Sequence, residues 1–273
     1  MALGLVFNAV ALCVVLRQDL RMPDLRLALI MAVSEILLVV FKLCDSLYFA
    51  TTPVKEIPED AQWKGVVTSF LLQLSAVCVG CLALLRFWVI FMKRTVPLRL
   101  FWTLFVVLQT VMLSFLIAVA YQGWFESLHI MSLLYPELNT RSWVVETCRY
   151  LLLINHIWPI VAVNIIYPCI ARIYESELMF LHPGDPPLKQ KRMIYFKVGV
   201  FIVVYNIAMI PNILVLLLEA LTGKLQSPFI ESISVVTLFS MTLFNPLILL
   251  TLHHETFREF KMLAHQLKSK LRQ

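Results

Sequence analysis

Residues 65–92 read GVVTSFLLQLSAVCVGCLALLRFWVIFM, and Arg86 is the one charge among them. A helix rises 1.5 Å per residue and a bilayer's hydrocarbon layer is about 30 Å thick, so a run of this kind is long enough to cross it. Similar runs recur at 2–16, 27–50, 100–121, 150–171, 198–218 and 232–252, which makes seven. Of these six, the run at 27–50 alone carries charge, at Glu35, Lys42 and Asp45. Helix breakers lie between the runs: Pro23, Pro53, Pro58, Pro97, Pro136 and the cluster His182-Pro183-Gly184-Asp185-Pro186-Pro187. Membrane β-strands alternate over about ten residues and do not give apolar stretches this long. The expected fold is therefore all-α, with seven transmembrane helices over residues 1–252 and a cytosolic amphipathic eighth helix and tail over 253–273.

Composition leads to the same reading. The chain is 60% hydrophobic and 15% charged, with a mean hydropathy of +0.83, whereas soluble domains carry about 25% charged residues. A water-soluble core of this size does not hide that much apolar surface. The excess faces lipid, which excludes a soluble enzyme, a nucleic-acid binder and a disordered protein. The six cysteines read as small buried hydrophobes rather than as a disulfide framework or a zinc site.

Of the 23 Lys and Arg, 16 fall in segments 17–26, 93–99, 172–197 and 253–273, against 5 in segments 51–64, 122–149 and 219–231. Basic loops stay in the cytosol, so the N-terminus is expected outside and the C-terminus inside. The first run is short, rising about 22 Å. Ala9-Val10-Ala11 resembles a signal-peptide cleavage site, but Arg17 and Arg21 follow the apolar run instead of preceding it. A first helix whose outer turns are missing is the preferred expectation.

Ionisable groups inside a span need a partner, a wet cavity or a task. Glu35 lies about two turns inside its run, as either an internal cation or proton site or a protonated acid bonded to a neighbouring helix. Lys42 and Asp45 stand i,i+3 on one helical side and either neutralise each other or face a ligand. Pro159, Pro168, Pro211 and Pro246 interrupt three further spans, where prolines act as kinks and hinges.

In order along the chain, these features resemble a divergent rhodopsin-like (class A) G-protein-coupled receptor. Asn8, and Glu35 within Leu27-Ala28-Leu29-Ile30-Met31-Ala32-Val33-Ser34-Glu35, look like the family's first- and second-helix markers. Ser75 precedes Arg86 by the family's third-helix interval, and Leu85-Arg86-Phe87 stands where Asp-Arg-Tyr is usual. Pro159 and Tyr167 keep the fifth-helix spacing, and Tyr205-Asn206-Ile207-Ala208-Met209-Ile210-Pro211 looks like FxxCWxP. Asn245-Pro246-Leu247-Ile248-Leu249 looks like NPxxY and is followed by Phe257-Arg258-Glu259-Phe260, like the family's eighth helix. The apolar face of that helix is Phe257, Phe260, Leu263, Leu267 and Leu271, a pattern that lies on an anionic membrane surface.

The resemblance implies a receptor in the plasma membrane, not an enzyme, that binds an extracellular ligand and activates a heterotrimeric G protein by opening helix 6. Its switch residues would be Arg86, Tyr167, Tyr205, Met209, Pro211, Asn245 and Pro246. Arg86 is otherwise an interfacial anchor that snorkels to lipid phosphate. The ligand pocket would be built from Lys42, Asp45, Thr68, Leu72, Asn155, His156, Asn212, Val235 and Phe239. His156 is either a donor in that pocket or a packed interhelical residue. Glu35, Ser75, Thr242 and Asn245 would hold a sodium ion or a proton; Met241 and the longer Glu side chain depart from the family's sodium pocket. Thr68 stands where amine receptors have an aspartate, which disfavours a monoamine. Phe239 stands where visual pigments have the retinal-bearing lysine, which excludes retinal.

Other departures are Leu249 for the NPxxY tyrosine, Met209 for the toggle tryptophan, and Ala61 for the helix-3 cysteine, which leaves Cys148 without its usual partner. Trp102 lies too early to be the helix-4 tryptophan. Leu85 in place of the acid predicts weaker locking of the off state. The main alternative is a multi-pass transporter or channel, which would show internal repeats. A seven-span hydrolase is the third reading, and the scattered histidines argue against it.

Overall fold

The structure, a computed structural model, describes residues 2–51, 61–92, 97–127, 134–136, 142–181, 188–222, 227–252 and 258–262. Seven helices dominate these residues: α1 (Ala2–Leu16), α2 (Pro23–Thr51), α3 (Ala61–Met92), α4 (Leu98–Tyr121), α5 (Trp143–Leu181), α6 (Leu188–Thr222) and α7 (Pro228–Leu252). Six of them, all but α1, are long and apolar enough to cross a membrane. The chain is a multi-pass, helical membrane protein. Large apolar side chains such as Leu108, Ile154, Phe196 and Val203 stand exposed on the helix flanks, as a lipid-facing surface requires.

The helix neighbours close a ring: α1 packs on α2 and α7, α2 on α3, α3 on α5, α5 on α6, and α6 on α7. α4 sits outside it against α3 and α5. The main core fills the ring with Leu27, Leu38, Leu82, Val163, Tyr205, Met209 and Leu238 among others. A second core ties α4 to α3 and α5 through Met112, Leu116, Val119, Val145 and Leu152.

Two contacts set the spacing of the ring. A Cβ at Gly80 would lie 2.8 Å from the Trp158 indole nitrogen and 3.2 Å from the Cα of Pro159, so α3 and α5 approach as only glycine permits. A Cβ at Gly4 would meet the Thr242 hydroxyl at 3.1 Å, so α1 and α7 are nearly as close.

Several bounds differ from the hydropathy runs. α5 and α6 extend well past 150–171 and 198–218, because residues 172–181 and 188–197 are rich in Glu, Leu, Lys, Arg, Gln and Met, which continue a helix outside lipid. A two-stranded antiparallel hairpin follows α4, β1 (Phe125–Ser127) with β2 (Leu134–Pro136), where the sequence reading had a plain loop. Gly123, at φ 71°, makes the turn out of α4. Gln62 pins the hairpin to α3, donating to the Phe125 carbonyl at 3.1 Å and accepting its N–H at 2.9 Å. Of the expected eighth helix, residues 258–262 are helical. Phe257, Leu263, Leu267 and Leu271 lie outside the described residues, as does the His182–Pro187 cluster.

Candidate functional site

The centre of the ring holds a polar cluster drawn from three helices. Glu35 of α2 is fully buried. Its Oε1 accepts from Ser75 Oγ of α3 and from Asn245 Nδ2 of α7, each at 2.5 Å. The Asn245 amide also lies 3.1 Å from Ser75 Oγ. Three of the four expected cation ligands thus converge. The Thr242 hydroxyl donates instead to the Phe239 carbonyl of its own helix at 2.8 Å. The Thr242 carbonyl accepts from Asn8 Nδ2 at 2.7 Å, and that amide also donates to the Gly4 carbonyl.

This cluster is incompletely satisfied. Among the described residues, Glu35 Oε2 and Asn245 Oδ1 are buried acceptors without a hydrogen-bond partner. Two oxygen acceptors sealed away from water favour a hard cation, a proton or a water between them. The residues therefore fit the sodium or proton expected there. Among the described residues no group of three His, Cys, Asp or Glu could hold a transition metal. Cys78 and Cys81 have Cys-x-x-Cys spacing within α3 but are free thiols.

Toward the end of the ring that carries most of the basic residues, Arg86 Nη1 donates to Tyr167 Oη at 3.3 Å. Tyr167 stacks edge-on to Phe201, with centroids 4.7 Å apart, and Phe201 packs on Tyr205 at 5.8 Å. A small cavity bounded by Met31, Leu82, Arg86, Tyr167, Phe201, Asn245 and Leu249 lies between the Arg86–Tyr167 pair and Asn245. Tyr205 is fully buried, and its hydroxyl has no hydrogen-bond partner among the described residues. Met209, Asn245 and Pro246 are buried nearby, and Pro211 lies half-buried within α6.

At the opposite end, Asp45 accepts two ion pairs, from Lys42 at 3.7 Å and from Lys64 of α3 at 3.3 Å. Thr68 is buried one turn along from Lys64, and its hydroxyl has no hydrogen-bond partner among the described residues. Asn212 Oδ1 accepts from Ser234 at 3.2 Å, joining α6 to α7. His156 is buried with Nδ1 2.7 Å from the Leu152 carbonyl, so that nitrogen carries a proton and bonds within its own helix. Leu72 and Val235 are buried, and Asn155 and Phe239 are half-buried.

Two features escaped the sequence reading. Asn164 of α5 and Asn206 of α6 exchange reciprocal amide bonds of 2.9 Å; the signal was there, since each is an amide in an apolar run. Lys64 had been counted as a loop charge. Farther along, the Tyr195 hydroxyl of α6 donates to Glu175 of α5, beyond the apolar runs. Comparison with protein-family models gives no match, and a search of curated proteins gives none.

Proposed function

We propose that the chain is a divergent rhodopsin-like receptor in the plasma membrane, with seven transmembrane helices, an outside N-terminus and a cytosolic C-terminus. The observation that supports this reading is the pairing of Arg86 with Tyr167 beside a cavity lined by Asn245, which itself bonds to Glu35 and Ser75. A guanidinium held by a phenol at the basic end of a helix ring is a contact two conformations can make differently. An extracellular ligand acts by favouring the conformation it binds better. α6 is the element suited to move, because it carries Pro211 and packs mainly on α5 and α7. Glu35, Ser75 and Asn245 hold a sodium ion or a proton that a switch can release. A G protein is the cytosolic partner of this reading, and Lys42, Asp45, Thr68 and Asn212 line the outer ligand site.

Guanine-nucleotide exchange on a panel of purified Gα subunits, with the full chain in lipid nanodiscs, tests the proposal. Basal exchange above that of empty nanodiscs is expected. Tyr167→Phe should lower it about tenfold, since a hydrogen bond to a charged group is worth roughly 1.5–3 kcal/mol. Ion or solute flux through proteoliposomes without exchange on any subunit would overturn the proposal in favour of a transporter or channel.

A further inference from the structure

The cavity beside Arg86 has three polar side chains in its wall, Arg86, Tyr167 and Asn245. Among the described residues, the side chains of Arg86 and Tyr167 make one hydrogen bond, to each other, at 3.3 Å. A guanidinium carries several N–H groups, and a phenol that accepts still has its own proton to give. Donors are therefore in excess on this side of the cavity. Across it the need is reversed. Asn245 is 1% exposed, gives its amide N–H groups to Glu35 and Ser75, and its Oδ1 has no donor among the described residues. The rest of the wall is apolar, with Val79, Leu82 and Leu249 among its side chains, so no further side chain of the wall meets either need. The cavity has a volume of about 20 Å³, and one water molecule needs roughly 10–15 Å³ with two to four polar partners. Charge selects among small occupants. A sodium ion suits the Asn245 carbonyl but is repelled by the guanidinium, and a halide suits the guanidinium but is repelled by the carbonyl. Water accepts from one side and donates to the other.

We propose that this cavity is a binding site for one water molecule, which accepts from Arg86 or Tyr167 and donates to Asn245 Oδ1. The water makes one hydrogen-bonded unit of the Arg86–Tyr167 pair, on α3 and α5, and the Glu35 cluster, on α2, α3 and α7. A carbonyl oxygen has two lone pairs, so Asn245 faces the water with one and the occupant of the Glu35 cluster with the other. A change at Glu35 thereby reaches Arg86 through a single side chain. The inference rests on the cavity wall and goes beyond the receptor reading.

Infrared spectra of the full chain in lipid nanodiscs, recorded in ordinary and in oxygen-18 water, detect the occupant directly, because a water band moves with that label and protein bands do not. Val79→Ile adds one methylene to the wall and leaves the three polar side chains in place. The parent-minus-variant difference spectrum should hold an O–H band of a buried water that shifts with oxygen-18. The variant should also melt at a lower temperature, because the groups the water served are left unmatched. The band is the deciding readout. A difference spectrum without it overturns the proposal, whether Val79→Ile is stabilised by filling a dry gap or strained by overpacking. Glu35→Gln should shift the same band by altering the bonding of Asn245, and a band at the parent frequency would overturn the link to Glu35. None of these readouts involves a G protein, so the water site and the receptor reading fail separately.

Discussion

Two polar contacts between helices invite comparison, the Asn164–Asn206 pair joining α5 to α6 and the Glu35 cluster joining α2, α3 and α7. The amide pair is self-contained: each side chain gives one bond and takes one, at 2.9 Å. The Glu35 cluster is more deeply buried, yet two of its oxygens lack a donor among the described residues. A satisfied pair is a fastener, and its exchange for well-packed apolar residues changes little. An unsatisfied cluster carries a standing energetic cost, which a cation, a proton or a water held there would relieve.

The largest test of this contrast is Glu35→Ala. It leaves the Ser75 hydroxyl and the Asn245 amide buried without their acceptor and should destabilise the protein by about 3 kcal/mol, at roughly 1–3 kcal/mol for each orphaned group. Glu35→Gln, which keeps an acceptor oxygen, should lose much less. Thermal unfolding in detergent compares the two, and equal losses would mean that the charge itself holds the helices. Next in size is the amide pair. Asn164→Ala should cost about 1 kcal/mol, the usual range for hydrogen bonds between membrane helices. The double change Asn164→Leu with Asn206→Leu should return to within about 0.5 kcal/mol of the parent. A double change as damaging as the sum of the singles would show that the pair does more than fasten. The smallest effect belongs to the cation. Sodium at a concentration equal to its Kd should add about 0.4 kcal/mol relative to choline in the parent chain and nothing in Glu35→Gln. The same response in both chains would leave a proton as the occupant.

The helices were legible in the sequence because a membrane forbids charge over some twenty residues, and few sequence signals are as clear. The extensions of α5 and α6 were not, since hydropathy registers where lipid ends and not where a helix ends. The hairpin at Phe125 and Leu134 was hidden for a related reason. Its strands are three residues long, too short for an alternating pattern, and its anchor, Gln62, lies far away in the chain. The Glu35 cluster was legible through residue type and order, because a buried acid calls for partners and Ser75 and Asn245 are polar residues in apolar runs. What spacing along three separate helices could not supply was the direction of Thr242, whose hydroxyl bonds to its own helix. Lys64 went unread because its role depends on a carboxylate of another helix.

The missing methyl group at Gly80 constrains which parts of the molecule can slide. With Trp158 and the backbone of Pro159 filling the space above that one residue, a displacement of α3 along α5 by about one turn brings the side chain of Val77 or Ala83, on the same helical face, into a gap with no room for either. These two rods are keyed together like a bolt and its notch. Any large rearrangement carries them as one piece, and the freedom to swing falls to the helices across the ring.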